Sequence, residues 1–324
     1  MTTEKLSEVR ELGRTGMRIT PLGLGTAAFG GDDWPFTRGP QNDHESIGTI
    51  RRSIALGINW MDTAPVYGAG HAEDVVAQAL EGTTVHPYVF TKVSMFLNPR
   101  GEITNSQKPE TIRGEVDAIL GRLHVDKIDL CQVHWPIPEN EIEEGWRTLA
   151  ELRDQGVIRH IGVSNFSVEQ IERLNSIAAV ETLQPQYSLV HPEAGQELLP
   201  YAKAHGIGVI IYSPMATGLL SGALNAERIR KLPKEHWRLR DEALQEPQLT
   251  RNLTLSHLLG EIGKEHGCSA GEVAIAWTLL NSAVTAAIVG ARSPEQVDGL
   301  VTAANLRLSQ SDIDRISTFL KEHP

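Results

Sequence analysis

Four side chains able to handle a proton fall in the first half of the chain: Asp62, Tyr67, Lys92 and His134. Asp62 ends Ile58-Asn59-Trp60-Met61, Lys92 ends Tyr88-Val89-Phe90-Thr91, and His134 ends the run from Ile128 to Val133. Tyr67 lies in the loop just past Asp62. Taken singly, each has a bland account: an aspartate caps a strand, a lysine lies on the surface, a histidine is structural. Jointly they mark the ends of three consecutive predicted strands. Parallel barrel strands deliver their C-terminal ends to one face, where active sites form. A phenol, an ammonium, a carboxylate and an imidazole meeting there can move a proton.

The elements that must position them alternate regularly. Strands are expected at 21–25, 58–62, 88–92, 128–134, 158–164, 182–186, 208–212 and 283–289. Helical periodicity covers 43–56, 70–80, 109–123, 142–155, 167–178, 195–205, one long stretch 253–281, and 294–303. Eight strand–helix repeats predict an α/β fold, a (β/α)8 TIM barrel, as a single domain over 1–324. Ser167-Val-Glu-Gln170 and Ser293-Pro-Glu-Gln296 read as capping boxes. Gly57, Gly156 and Gly206 read as left-handed helix ends. Val9–Leu12 and Met17–Thr20 flank a Gly-Arg-Thr-Gly turn, an N-terminal β-hairpin placed to close the barrel bottom. A long polar loop, 213–250, follows strand seven, and an extra C-terminal helix is expected at 311–321.

Bulk composition bounds the function. The 324 residues carry a formal charge of −11, which argues against nucleic-acid or anionic-membrane partners. The polar N-terminus holds no signal-like apolar core, and no apolar run reaches a membrane span, so a cytoplasmic location is expected. Two distant cysteines, Cys131 and Cys268, read as free thiols. The twelve histidines form no H-x-H or H-E-x-x-H pair, so no metal site is expected. Gly23-Leu-Gly25-Thr-Ala-Ala-Phe-Gly30-Gly31 has neither dinucleotide-fingerprint nor P-loop spacing. It fits a tight small-residue loop or a direct ligand contact equally well.

As a set, Gly57-Ile-Asn-Trp-Met-Asp62-Thr-Ala, Tyr67-Gly68, Thr91-Lys92, Asp129-Leu-Cys-Gln-Val-His134, Gly162-Val-Ser-Asn-Phe166 and Ile288-Val-Gly-Ala-Arg292 resemble the aldo-keto reductase superfamily. The likeness spans nearly the whole chain and is greatest toward bacterial inositol-dehydrogenase-like and general-stress-like branches. It implies that Asp62, Tyr67, Lys92 and His134 form a catalytic tetrad. Tyr67 would be the general acid–base, eased by the Lys92 charge, with Asp62 balancing the lysine and His134 orienting the carbonyl oxygen. Histidine at 134, where a double-bond-reducing branch carries glutamate, favours carbonyl and alcohol chemistry.

None of the four can supply a hydride, so a cofactor must. The resemblance implies a nicotinamide dinucleotide, NADP(H) favoured and NAD(H) possible. Its carboxamide would meet Ser164, Asn165 and Gln184, and its ring would stack on Tyr212. Ser213, Pro214, Met215, Gly218 and Leu219 would line the pyrophosphate path, with Gly25, Thr26, Gly290 and Gln296 also in contact. Arg292 would read the adenosine phosphate, because its planar fork suits phosphate. Leu300 stands where many relatives carry a polar asparagine near the adenine. Trp34, Phe36, Trp135 and Trp237 are substrate-wall candidates, or packing residues of their loops. The expected ligand is a small carbonyl compound or alcohol, a sugar or inositol among them. A nicotinamide-binding regulatory subunit is the alternative reading, and a Schiff-base lyase a weaker one.

Overall fold

The computed structural model describes residues 5–32, 34–233 and 236–323. Eight parallel strands close a barrel in chain order: β1 (Leu22–Gly25), β2 (Trp60–Asp62), β3 (Tyr88–Val93), β4 (Ile128–Val133), β5 (Ile158–Ser164), β6 (Thr182–Gln184), β7 (Gly208–Ile211) and β8 (Ala286–Gly290). The first six are followed by α1 (Asp43–Ala55), α2 (His71–Leu80), α3 (Pro109–Leu123), α4 (Ile142–Asp154), α5 (Val168–Asn175) and α6 (Leu198–Ala204). After β7 come α7 (Ala226–Arg230), α8 (Gln248–His266) and α9 (Ala270–Leu279), and after β8 come α10 (Pro294–Asn305) and α11 (Gln310–Glu322). This is the (β/α)8 architecture expected.

Strand alternation sorts the side chains. Along β2, Trp60 faces the barrel interior, Met61 the helix layer, and Asp62 the interior again. Along β3, Phe90 and Lys92 point in, while Thr91 points out to accept no core role and instead donates to Glu73 Oε1 at 2.7 Å. The lower interior is apolar: Trp60, Phe90, Leu130, Ile210, Ala286 and Ile288 pack on Leu12, Met17 and Ile19 of the N-terminal hairpin. The hairpin pairs Arg10–Glu11 with Arg18–Ile19 and closes the barrel bottom as expected. Gly13 there has φ +55, and a Cβ on it would sit 2.2 Å from Gly208 N.

Three local expectations are corrected. The single helical stretch 253–281 is two helices, because Gly267 turns left-handed at φ 70 and Ser269 starts a new capping box with Glu272. The box expected at Ser293 does not form; the Gln296 side chain accepts from the Arg292 amide at 2.8 Å instead. An antiparallel hairpin absent from the strand list, Met95–Leu97 with Ile103–Asn105, follows β3. Its Asn98 side chain accepts from the amides of Arg100 and Glu102, which organises a turn that alternation alone did not signal. The other capping box, Ser167 with Gln170, and the left-handed Gly57, Gly156 and Gly206 are as expected. Cys131 and Cys268 are free.

Candidate active site

The upper interior of the barrel is polar where the lower is apolar. Lys92 is 1% exposed, and its ammonium donates to Asp62 Oδ1 at 2.5 Å and to the Thr63 carbonyl at 3.0 Å. A buried ion pair survives only when its remaining valences are filled. Here the other Asp62 oxygen accepts from Gln184 Nε2 at 2.9 Å, and that same nitrogen also donates to Gln132 Oε1 at 2.9 Å. Gln132 is fully buried on β4 and was not singled out from sequence. Its position two residues before His134, on the inward face, is the signal that could have found it.

Tyr67 lies over this pair, with Lys92 Nζ 5.5 Å from its ring centroid. A close backbone approach sets the loop that carries it. Gly30, after β1, touches Tyr67 and Gly68 so tightly that a Cβ on Gly68 would fall 2.1 Å from the Gly30 carbonyl oxygen. That settles one use of the glycine-rich run: it is a tight loop that holds the phenol's neighbour. The run also lends Gly25 and Thr26 to the cleft wall.

Burial raises the Tyr67 phenol above its ordinary value; Lys92 pulls it back down and Asp62 pushes it up. The easing expected from Lys92 is therefore present but is not the net direction. The reason is local. Low-dielectric surroundings disfavour a phenolate, and Asp62 offsets much of the lysine's field. Burial works against the Lys92 ammonium, yet Asp62 and then Tyr67 outweigh it and hold the lysine above its ordinary value. His134 is driven well below its ordinary value, first by burial and then by Lys92, so the imidazole is neutral. Its Nδ1 is buried with no hydrogen-bond partner among the described residues. Its ring packs edge-on to Tyr67, centroids 6.2 Å apart.

A cleft of about 710 Å3 opens above these groups. It exposes Asp62, Tyr67 and His134, with Lys92 beneath. Its walls bring together Gly25, Thr26, Ser164, Asn165, Gln184, Tyr212, Ser213, Pro214, Met215, Gly218, Gly290, Arg292 and Gln296, as sequence suggested. Leu219 does not line it: its side chain is fully buried in the core under the loop after β7. Leu300 likewise faces the core at 7% exposure, packed in the helix layer. All four candidate aromatics, Trp34, Phe36, Trp135 and Trp237, line the cleft.

The walls fit a nicotinamide dinucleotide. Asn165, left-handed at φ 65, donates to the His134 carbonyl and to Ser164 Oγ, both at 3.0 Å, and accepts from the Tyr212 hydroxyl at 2.8 Å. Ser164 Oγ in turn donates to the Gln184 carbonyl at 2.8 Å. Asn165 and Ser164 are thereby fixed beside Tyr212. Thr26 Oγ1 and Thr217 Oγ1 are buried on the cleft with no partner among the described residues. Ser213, Ala216, Thr217 and Gly218 all have positive φ, a strained backbone run of the kind that clusters at ligand clamps. The N-terminus of α10, with no side-chain cap, adds N–H groups that favour an anion.

Arg292 lines the cleft, with three of its donors already engaged. Nε donates to Gln41 Oε1 at 2.9 Å, one terminal nitrogen to the Arg38 carbonyl at 3.1 Å, and the other to the Pro40 carbonyl. Gln41 returns a bond to the Arg292 carbonyl at 2.8 Å. Residues of the loop after β1 are thereby tied across the cleft mouth. Trp237, from the loop after β7, makes a second tie through its indole N–H to the Thr37 carbonyl at 2.9 Å. Arg240, noted from sequence beside Trp237, also lines the cleft, and so do Arg38 and Arg238, which sequence reading passed over. Their nearness to the chosen aromatics in sequence was the available signal.

Residues 21–321 match the family profile described as Aldo/keto reductase family. The chain is 34% identical over 317 residues to the aldo-keto reductase YhdN of Bacillus subtilis, covering 97% of this chain and 94% of that one. It is 32% identical to an NADH-specific methylglyoxal reductase of Escherichia coli, covering 93% and 94%. Among solved structures, the glycerol dehydrogenase AKR11B4 from Gluconobacter oxydans superposes with a TM-score of 0.87 at 32% identity, covering 100% of this chain and 97% of that one.

Proposed function

The chain belongs to the aldo/keto reductase family, and from that premise we propose that it interconverts carbonyl compounds and alcohols with NADP(H), using Tyr67 as general acid–base. One observation carries the reading: the Asp62–Lys92 pair is buried directly beneath a phenol that shares a cleft with a neutral imidazole. In reduction the carbonyl oxygen gains negative charge, and a positioned acid must meet it. Tyr67 is protonated at neutral pH and gives that proton. Lys92 favours the phenolate left behind, and Asp62 keeps the lysine charged and fixed. A neutral His134 is suited to hydrogen-bond the substrate oxygen without competing for the proton. In oxidation Tyr67 takes the proton back. Bound in the cleft, the nicotinamide cofactor supplies or accepts the hydride. Ser164, Asn165 and Gln184 would hold its carboxamide and Tyr212 its ring, while 213–218 and the start of α10 would hold its phosphates.

The preference for NADP(H) rests on Arg292. A guanidinium has five N–H donors. Three are committed to Gln41, Arg38 and Pro40, which leaves two for a phosphate on the adenosine end. The Escherichia coli relative is named as NADH-specific, and titration of this chain with both cofactors decides between NADP(H) and NAD(H).

The decisive experiment is an NADPH-oxidation screen over aldehydes, ketones, sugars and inositols, with reverse assays on the alcohols, on wild type and Tyr67→Phe. The variant should lose about 10²–10⁴-fold in kcat, the usual weight of a general acid. It should bind NADPH nearly as wild type does. Unchanged turnover removes Tyr67 from the role. Because burial holds the phenol above its ordinary range, reduction should stay flat through neutral pH and decline only in alkali, while oxidation climbs with pH.

A further inference from the structure

The cleft mouth holds more positive charge than carbonyl reduction needs. Arg38, Arg238, Arg240 and Arg292 all line it, in a protein whose formal charge is −11. Arg292 gives three of its five donors to the loop after β1. Arg38 and Arg238 share one platform, their guanidinium carbons 4.3 and 5.0 Å from the Trp237 ring centroid. Among the described residues no carboxylate lies within ion-pair distance of either. Asp241, also on the cleft wall, is paired with His191 at 3.4 Å. Arg238 Nε is buried with no acceptor among the described residues, and so is the indole N–H of Trp34, a residue only 6% exposed. Two like charges and two orphaned donors beside one cleft cost free energy unless an acceptor completes them.

We propose that the preferred substrate carries an anionic group, a carboxylate or a phosphate ester, that Arg38 and Arg238 hold against Trp237 while its carbonyl meets Tyr67 and His134. The inference rests on the carbonyl-reduction reading and deepens it. Arg38 is assigned to the substrate because of its neighbours. The same loop supplies Trp34, whose ring lies 5.5 Å from Tyr67, and Phe36, whose ring meets Trp237 edge-on at 6.0 Å. The walls suited to cofactor phosphates, 213–218 and the start of α10, come from other loops. Burial, and then the nearby Arg238, lower Arg38 to about 10, so it remains a cation at neutral pH. Arginine, planar and weakly hydrated, is the side chain that binds carboxylate or phosphate at such a site.

The test compares paired aldehydes that differ only by the anion: succinic semialdehyde against butanal, and glyceraldehyde 3-phosphate against glyceraldehyde. In wild type the ratio of kcat/KM, anionic over neutral, should exceed one for at least one pair, mostly through KM, and should fall as salt is added. The arm that responds identifies carboxylate or phosphate. Arg38→Met and Arg238→Met should each lower that ratio roughly 10- to 100-fold, the weight of a charge-assisted hydrogen bond. Arg38→Lys should recover part of it. Should the variants fail to fold, the wild-type ratio and its salt dependence decide. A wild-type ratio at or below one in both pairs overturns the proposal. So does a ratio untouched by the variants, or a loss of NADPH affinity as large as the loss of anionic substrate, which would assign the arginines to the cofactor. Turnover of neutral aldehydes alone removes this inference and leaves the reaction standing. No turnover of any carbonyl removes both.

Discussion

The floor and the mouth of the cleft treat charge in opposite ways. On the floor, Lys92, Asp62, Gln184 and Gln132 form a buried chain in which the ammonium meets a carboxylate and that carboxylate meets an amide. At the mouth, guanidiniums line loops with no carboxylate within ion-pair distance among the described residues, and one stacks beside another on a tryptophan. A buried group that is paired by the protein is tuned before any ligand arrives, and it serves one reaction. A charged group left for solvent or a ligand selects which molecule enters. The two regions also differ in their support. The floor stands on β2, β3, β4 and β6, whereas the mouth is built of loops held together through the side chains of Arg292 and Trp237.

The largest way to break the floor is Lys92→Met. It leaves Asp62 buried without its cation, which should cost about 3–5 kcal/mol of stability. It also removes the floor charge that favours the phenolate, so kcat should fall roughly 100-fold or more, and the alkaline limb of oxidation should move to higher pH. Thermal melting and a pH–rate profile check both. An unshifted profile would detach Lys92 from Tyr67.

Arg292→Ala sharpens the comparison at the mouth. If Arg292 reads a phosphate, the dissociation constant for NADPH should rise roughly 10- to 100-fold and that for NADH much less. Equal losses for both would make Arg292 a latch for residues 38–41 and nothing more. Fluorescence titration with each cofactor separates the two.

A smaller effect concerns the brace behind β3. Ser94 follows the strand with φ 79, and its amide donates to Glu115 Oε2 at 2.7 Å. Burial raises the Glu115 carboxyl from 4.5 to about 8, and its other oxygen has no partner among the described residues. A folded value above the unfolded one means the neutral acid stabilises the fold. That contribution is complete below about pH 4.5, declines above it, and is gone above about pH 8. Glu115→Gln should therefore gain on wild type in melting temperature as pH rises from 5 to 9. A difference that does not vary with pH would refute the raised carboxyl.

Much of this was legible in the residues. Eight strand–helix repeats are a local signal, since apolar runs and turn residues mark them one at a time. The proposed tetrad was legible because alternation along β2, β3 and β4 fixes which residues face inward, a strand's end can be read from its run, and Tyr67 lies just past one such end. What resisted reading depends on pairs distant in sequence. Gln132 is an ordinary strand residue until Gln184, 52 positions away, donates to it. Arg38 is an ordinary loop arginine until Trp237 arrives beneath it. The hairpin at Met95–Leu97 escaped because its strands are three residues each, too short for a period to show.

By itself, then, the chain's order of residues determined the barrel, the inward face of each strand and the four groups proposed to handle the proton, because all of these follow from local period and adjacency. Only the tertiary structure decided which charges are satisfied and which wait. That depends on distance and burial, and these decided that Asp62 and the low-dielectric surroundings outweigh Lys92 at Tyr67, that Arg292 is partly engaged, and that Arg38 and Arg238 face a cleft with no carboxylate partner among the described residues.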